Sequence, residues 1–411
     1  MTRGRPVTAR GVGALALAAV CFAGANQLGL PELVAMGVML LALMVGALVV
    51  RRLVRPRAEV DRTFAPAVPE AGERVVVTVR ARRVRGARLG GEWDDELPPG
   101  LVLAADPPGA GPGGTADVEE ASVIRRYAVT APRRGIHTVG PVRLTITDPF
   151  GLVRRRTAVG GASRLVVTPA VTPLTPLPRS DGPGGSGMTA ALARMGAGSD
   201  DAAARPWLPG DSMRRIHWRA TAHRDELMVR QEEAESAPRA TVVLDRTAAR
   251  WAPAAGQPGA DADFEAAVSL CASVAVRLVL DGFTVAVLDA DGIALADPVA
   301  PGDRAGREDL LRRLASVTTG PGAGIAPAPD PLAQRGGAPL VRITGALDRS
   351  DAAALAGVGA GTGQRMLLAM RPAPGALDDA AGWRSAAAGA GLDPAQAWLL
   401  VTGSGAGRAA V

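Results

Sequence analysis

Two uninterrupted apolar stretches open the chain. Between Arg10 and Arg51 the only charged side chain is Glu32. Asn26, Gln27, Gly29 and Pro31 suit a tight turn and divide this interval into stretches at about residues 11–30 and 33–50. A helix crosses a bilayer with about 17–25 apolar residues, and both stretches qualify. The pattern then changes to short β-prone runs between Gly and Pro, at residues 74–80, 123–130, 137–147 and 165–168. In the third run Val142, Leu144 and Ile146 alternate onto one face. Short strands at regular spacing predict an antiparallel, sandwich-like domain over residues 58–175. At residues 148–152, Asp-Pro-Phe-Gly-Leu interrupts the strand pattern. Pro149 cannot donate to a ladder and Gly151 tolerates positive φ, so a turn is expected, with Phe150 as an apolar plug.

A flexible linker rich in Gly, Ser and Ala is expected at residues 176–204. A distinct block occupies 205–237, and a third pattern runs from 238 to 411. In that last region the runs at 241–245, 283–289, 339–344, 365–370 and 397–401 read as strands. Residues 261–281, 308–317, 351–355 and 378–389 read as helices. Phe264, Val268, Cys271, Ala275 and Leu278 share one face of the first helix. Alternation of apolar strands with helices predicts a doubly wound parallel sheet, whose ligands bind beyond the carboxyl ends of the strands. The expected fold is therefore multidomain: a two-helix transmembrane hairpin (1–57), an all-β domain, a linker, a motif block and an α/β domain.

Charge sharpens this picture. The chain has 411 residues, 46 basic and 40 acidic, and every basic residue is arginine. Up to residue 57 there are seven arginines and one glutamate, so the whole net charge of +6 flanks the apolar stretches. The balanced remainder offers no basic domain to track a phosphate backbone, which argues against nucleic acid as a partner. Arginines at both outer ends of the hairpin place both ends, and the large domains, in the cytoplasm of a plasma-membrane protein. A second reading takes Arg3, Arg5 and Arg10 with residues 12–25 as a cleaved signal peptide. The second span then still ends in Arg51-Arg52. Two cysteines exclude a disulfide scaffold and a cysteine zinc site. Abundant Gly, Pro and Ala match the drift of a high-GC genome.

The motif block holds two of the six tryptophans and two of the three histidines. Pro209-Gly210 makes a turn, Asp211 can cap a helix starting near Ser212, and residues 227–232 read as extended. With Arg205, Arg215 and Trp218 these residues resemble the hallmark of the domain-of-unknown-function 58 family. Arg134-Gly135, Gly140-Pro141 and Asp148-Pro149-Phe150-Gly151-Leu152 add to the resemblance, as does the order of parts. It implies a von Willebrand factor A-like C-terminal domain and interaction roles for Arg205, Pro209, Gly210, Asp211, Arg215 and Trp218. It also implies partnership with a MoxR-type AAA+ ATPase and a transglutaminase-like membrane protein. Domains of the von Willebrand type often bind Mg2+ through Asp-x-Ser-x-Ser after the first strand. Here Asp245-Arg246-Thr247-Ala248-Ala249 keeps one hydroxyl and lacks the second, with Asp348 and Thr318 or Thr319 as later candidates. The alternative is that Asp245 caps the neighbouring helix or pairs with Arg246.

The block itself also has two readings. Asp211, His217, His223 and Asp225 form either a metal or acid–base cluster, or a docking element with Trp218 buried. His217 and His223 are six apart, off a common helical face. The glycine runs lack the lysine of a phosphate-binding loop, and no Gly-x-Ser-x-Gly elbow appears. The chemistry of these residues favours a membrane-anchored, cytoplasm-facing protein-interaction module over an enzyme, with a metal-dependent enzyme as the alternative and an outward-facing envelope protein as a third.

Overall fold

The computed structural model describes residues 7–53, 57–85, 92–104, 117–119, 122–177, 204–207, 216, 218–224, 226–230, 237–322, 338–356 and 364–402. The chain forms two compact units, Met1–Thr168 and Pro169–Val411.

The first unit begins with two apolar helices, α1 (Ala9–Leu28) and α2 (Pro31–Leu53), each long enough to cross a membrane. The Thr8 hydroxyl accepts from the Gly11 amide and caps α1. Gly29, at φ +69°, ends it. A Cβ on Gly37 would lie 2.9 Å from the Phe22 ring, so glycine lets the helices approach there. Ten strands come next among the described residues: β1 (Arg57–Ala65), β2 (Arg74–Arg85), β3 (Glu92–Asp95), β4 (Val102–Leu103), β5 (Asp117–Glu119), β6 (Ser122–Thr130), β7 (Gly135–Val139), β8 (Val142–Thr147), β9 (Arg154–Val159) and β10 (Ser163–Val167). They pair antiparallel in three sheets. One has the order β1-β2-β6-β4 with β5 also on β6, the second is β3-β8-β9, and the third is β10-β7. Val75, Val77, Val79, Val129, Val142, Leu144 and Leu165 belong to one buried core, as strand alternation requires.

The run at 137–147, read as one strand, is two. Pro141 has no amide hydrogen to continue a ladder, and the chain changes sheets at Gly140-Pro141. Within the core lies a buried charge cluster. Arg62 donates to both Asp95 oxygens at 2.7 and 3.0 Å, and the Tyr127 hydroxyl donates to Asp95 Oδ2 at 2.6 Å. A third arginine donor reaches the Gly161 carbonyl.

In the second unit, residues 169–177 pack against the α/β domain: Leu174 and Leu177 enter its core and the Trp398 indole donates to the Thr175 carbonyl. The first β-unit thus ends near residue 168, short of the expected 175. A two-stranded ribbon pairs β11 (Ala204–Pro206) with β12 (Met228–Arg230), joined through α3 (Trp218–Arg224). Among the described residues five parallel strands then form the main sheet: β13 (Arg239–Leu244), β14 (Thr284–Asp289), β15 (Leu340–Leu347), β16 (Arg365–Pro372) and β17 (Arg384–Ala387). Their order is β14-β13-β15-β16-β17, and residues 293–299 run antiparallel against the β14 edge.

Helices cover both faces. Along β15, Val341 and Ile343 point to the core that holds α4 (Ala262–Leu280), α5 (Arg304–Leu314) and α8 (Pro394–Thr402). On the other face Leu347 packs with α6 (Arg349–Ala356) and α7 (Ala376–Asp379). Asp261 caps α4 by accepting from the Asp263 and Phe264 amides. Cys271 lies wholly buried on its inner face, and burial pushes its thiol up to about 12. It is a core residue, as its spacing predicts.

Two predicted elements are corrected. Residues 378–389 form the short α7 and the strand β17, separated by Gly382 at φ +82°. The segment at 397–401, read as a strand, is helix α8. Ala397, Trp398 and Val401 are its buried positions, and Asp393 accepts from the Ala395 amide at its start. The spacing i, i+1, i+4 is helical, and Asp-Pro is a helix-start signal that the apolar run obscures.

Candidate functional site

The strand order reverses direction between β13 and β15, which makes the carboxyl ends of those strands the switch point where α/β sheets bind ligands. Asp245 stands immediately after β13, fully buried. Its Oδ1 accepts from the Thr247 amide at 3.0 Å and its Oδ2 from the Thr344 hydroxyl at 3.0 Å. The Arg250 Nε lies 3.2 Å from the same Oδ2. Arg250 donates its other nitrogens to both oxygens of Asp351, at 2.7 and 3.0 Å, and to the Ala346 carbonyl at 2.9 Å. One guanidinium therefore bridges the loop after β13 and the first turn of α6. Its hydrogen bonds to Asp351 hold its pKa above the ordinary value against the cost of burial, and Asp245 adds to this.

Local packing fixes that arginine. The Trp251 indole donates to the Asp245 carbonyl at 2.9 Å and meets the Phe264 ring edge-on at 5.0 Å. A Cβ on Gly345 would lie 2.3 Å from the Arg250 carbonyl and 2.9 Å from the Trp251 ring. Only glycine lets the turn at 248–251 lie on β15. Gly345→Ala is expected to cost about 1–3 kcal/mol, the range for overpacking. Amide exchange of residues 340–347 in the intact protein would rise accordingly, while that of β2 would not change.

A second pair flanks the first. Arg246 donates to Asp289 at 2.7 Å and to the Thr318 carbonyl at 3.1 Å. Asp289 in turn accepts from the Asp291 and Ile293 amides. Arg342, on the opposite face of β15 from Val341, is 1% exposed. Burial lowers its pKa, and nearby Asp245 opposes that shift.

Of the residues expected to hold Mg2+, Asp245 and Thr247 lie at the switch point and Asp348 lies at the end of β15. Asp348 accepts from the Ser350 hydroxyl and the Asp351 amide, which lower its pKa. It works as a cap for α6. Asp245 pairs with Arg250 and not with Arg246. The Thr247 hydroxyl is buried and makes no hydrogen bond among the described residues. As arranged, this set does not fit a hard cation, which needs several open oxygens. Both Asp245 oxygens are engaged, and the positive charge facing Asp245 belongs to Arg250. Arg250, Asp289, Thr344 and Asp351 carry the site, although sequence reasoning does not single them out. An arginine one turn beyond a strand-end aspartate is the available signal.

In the motif block, Arg205 pairs with Val229 across the β11–β12 ribbon, and the Trp207 amide donates to the Leu227 carbonyl. Trp218 opens α3 and is 69% exposed, against the expectation that it is buried. Met228 is the buried anchor, its amide donating to the Thr221 hydroxyl. His223 is exposed on α3. Pro209, Gly210, Asp211, Arg215, His217 and Asp225 lie outside the described residues.

Taken with the apolar helix pair, this is a doubly wound α/β domain carried on a chain with a candidate membrane anchor. Residues 203–355 match the family described as Protein of unknown function DUF58, and the chain thus carries a domain of that family. No curated protein and no solved structure matches the chain significantly.

Proposed function

We propose that this protein is a membrane-anchored interaction module that acts as an adaptor for a MoxR-type AAA+ ATPase. In this reading α1 and α2 cross the plasma membrane as a hairpin, and both termini and the large domains face the cytoplasm. Arginines at the outer ends of the apolar segment support that orientation. The α/β domain is von Willebrand factor A-like and recognises a protein partner. A transglutaminase-like membrane protein is the second partner.

The observation that carries the reading is the state of the switch point. Three of its acids are matched by arginines, Asp245 and Asp351 by Arg250 and Asp289 by Arg246. These pairs are largely buried, so they brace the carboxyl ends of the strands as a fixed framework and, among the described residues, leave no unmatched acid–base pair there to act on a substrate. The ATPase would supply the nucleotide chemistry.

The test is an affinity purification of the gently solubilised full chain, with and without ATP, in Mg2+ or in chelator added after complex formation. A co-purifying AAA+ ATPase whose retention depends on nucleotide, and which survives the chelator, is the expected result. Absence of an ATPase, with one metal ion per chain that is lost on His217→Ala or His223→Ala, would replace this reading with a metal-dependent enzyme built on the central block.

A further inference from the structure

The turn at residues 148–152 does not simply plug the β-unit. The Val7 backbone bridges to Val153, and the Thr8 amide donates to the Leu152 carbonyl at 3.0 Å. The Thr8 hydroxyl also donates to the Gly151 carbonyl. Leu152 and Val153 share a buried cluster with Met44 and Ala47 of α2. A Cβ on Gly11 would lie 2.3 Å from the Leu152 carbonyl oxygen, so α1 is cut to fit this turn. The β8–β9 tip therefore lies beside the apolar helices, inward of Arg51. Phe150, at its apex, is 60% exposed.

Between this tip and α2 lies a cleft of about 470 Å3. Met39, Leu43, Gly46 and Val50 form one wall, and Pro149 and Phe150 the other. The wall from Met39 to Val50 is about 16 Å long at 1.5 Å per helical residue. One leaflet of a hydrocarbon core about 30 Å thick is about 15 Å deep. The cleft is thus as long as one leaflet's acyl layer, and its back wall is itself a candidate span. Its end at Val50 adjoins Arg51 and Arg52, and the Arg10 side chain lies within about 3.4 Å of where a Gly151 Cβ would be. Arg155 donates to the Arg51 carbonyl, adding a further cation at this level. Asp148 is the acid at this rim, and its two oxygens accept from the Phe150 and Val153 amides.

We propose that the Asp148–Leu152 turn is a third membrane-contacting element, and that its cleft with α2 holds one acyl chain of an anionic phospholipid whose phosphate meets the arginines at the helix ends. Bilayer is what meets the outer face of α2, which identifies the occupant as lipid. The arginine cluster selects the anionic headgroup. This rests on α1 and α2 being in the membrane.

The experiment uses the full chain with Cys21→Ala, reconstituted in phosphatidylcholine vesicles with and without phosphatidylglycerol. An environment-sensitive fluorophore is placed in turn at Phe150→Cys and at Val38→Cys, a lipid-facing position of α2. Lipids carrying a nitroxide on the acyl chain should quench both. Quenching at position 38 but not at 150 overturns the proposal while leaving the anchor intact. Quenching at neither removes the anchor and the proposal together. A second variant tests the cleft itself. A Cβ on Gly46 meets open space, so Gly46→Phe fills the cleft without displacing the fold. Native mass spectrometry should find phosphatidylglycerol retained over phosphatidylcholine by on the order of tenfold in the unaltered chain. Gly46→Phe should abolish that retention. Equal retention of both lipids, or retention unaffected by Gly46→Phe, overturns it.

Discussion

Asp95→Ala is expected to destabilise the first β-unit by about 3–5 kcal/mol, the cost of leaving a buried ion without its partner. The Arg62 side chain is 0% exposed and that of Asp95 4%. Without the carboxylate, Arg62 keeps a full charge in the core with the Gly161 carbonyl as its remaining acceptor among the described residues, and the Tyr127 hydroxyl loses its acceptor. Peptide-resolved amide exchange measures this in the intact protein: β2 and β6 should exchange on the order of a hundredfold faster or more, and β15 should not. Tyr127→Phe is milder, about 1.5–3 kcal/mol for a hydrogen bond to a charged group. It also has a pH signature. Burial, and then Asp95, raise the Tyr127 pKa above its ordinary value of 10. The folded state therefore holds a proton that the unfolded chain releases above about pH 10, so this contribution is complete below that pH and is lost as pH rises above it. Tyr127→Phe should flatten the alkaline decline. An unchanged slope would mean that another group governs it.

Arg250→Ala should have a comparable effect on the second unit, about 3–5 kcal/mol, because it removes the guanidinium in contact with buried Asp245, leaving only the more distant charge of Arg342 among the described residues, and frees Asp351 from its partner. Lysine should not restore the loss, since one ammonium cannot reproduce a fork that meets Asp351 with two nitrogens and Asp245 with a third. Replacing the group as a whole, with Asp245→Asn, Arg250→Met and Asp351→Asn together, should recover much of it. Thermal unfolding of the detergent-solubilised chain separates these cases. Millimolar Mg2+ should leave the unaltered chain's melting temperature where it is. A rise on adding Mg2+ would show that the ion displaces Arg250 and that the acids serve a metal.

The apolar helix pair and most of the parallel sheet are legible in the sequence because each rests on local pattern: unbroken apolar length, alternation, and strands separated by helical spacing. The Pro-Gly-Asp block is legible as a family signature, and the match over residues 203–355 agrees. The rest escapes for two physical reasons. Where alanine dominates, as at 378–401, side chains carry little periodic contrast, and tertiary pairing rather than pattern decides helix or strand. Arg250 meets Asp351 across 101 residues of chain, and Arg62 meets Asp95 across 33. Only sheet order brings such partners together. Asp245 stands out as a strand-end acid with Arg250 a short way along the chain, but Asp351, which holds that arginine in place, cannot be read from its neighbours.

The seating of Leu152 and Val153 on Met44 and Ala47 also bears on how fragments of this protein should be handled. A piece beginning at Arg57 keeps every strand of the first unit's three sheets yet strips the cover from the β8–β9 tip. Next to the already exposed Phe150, that leaves an adhesive apolar tip in water. Dimers or aggregates formed by such a piece would report the missing helices, not the way intact copies meet.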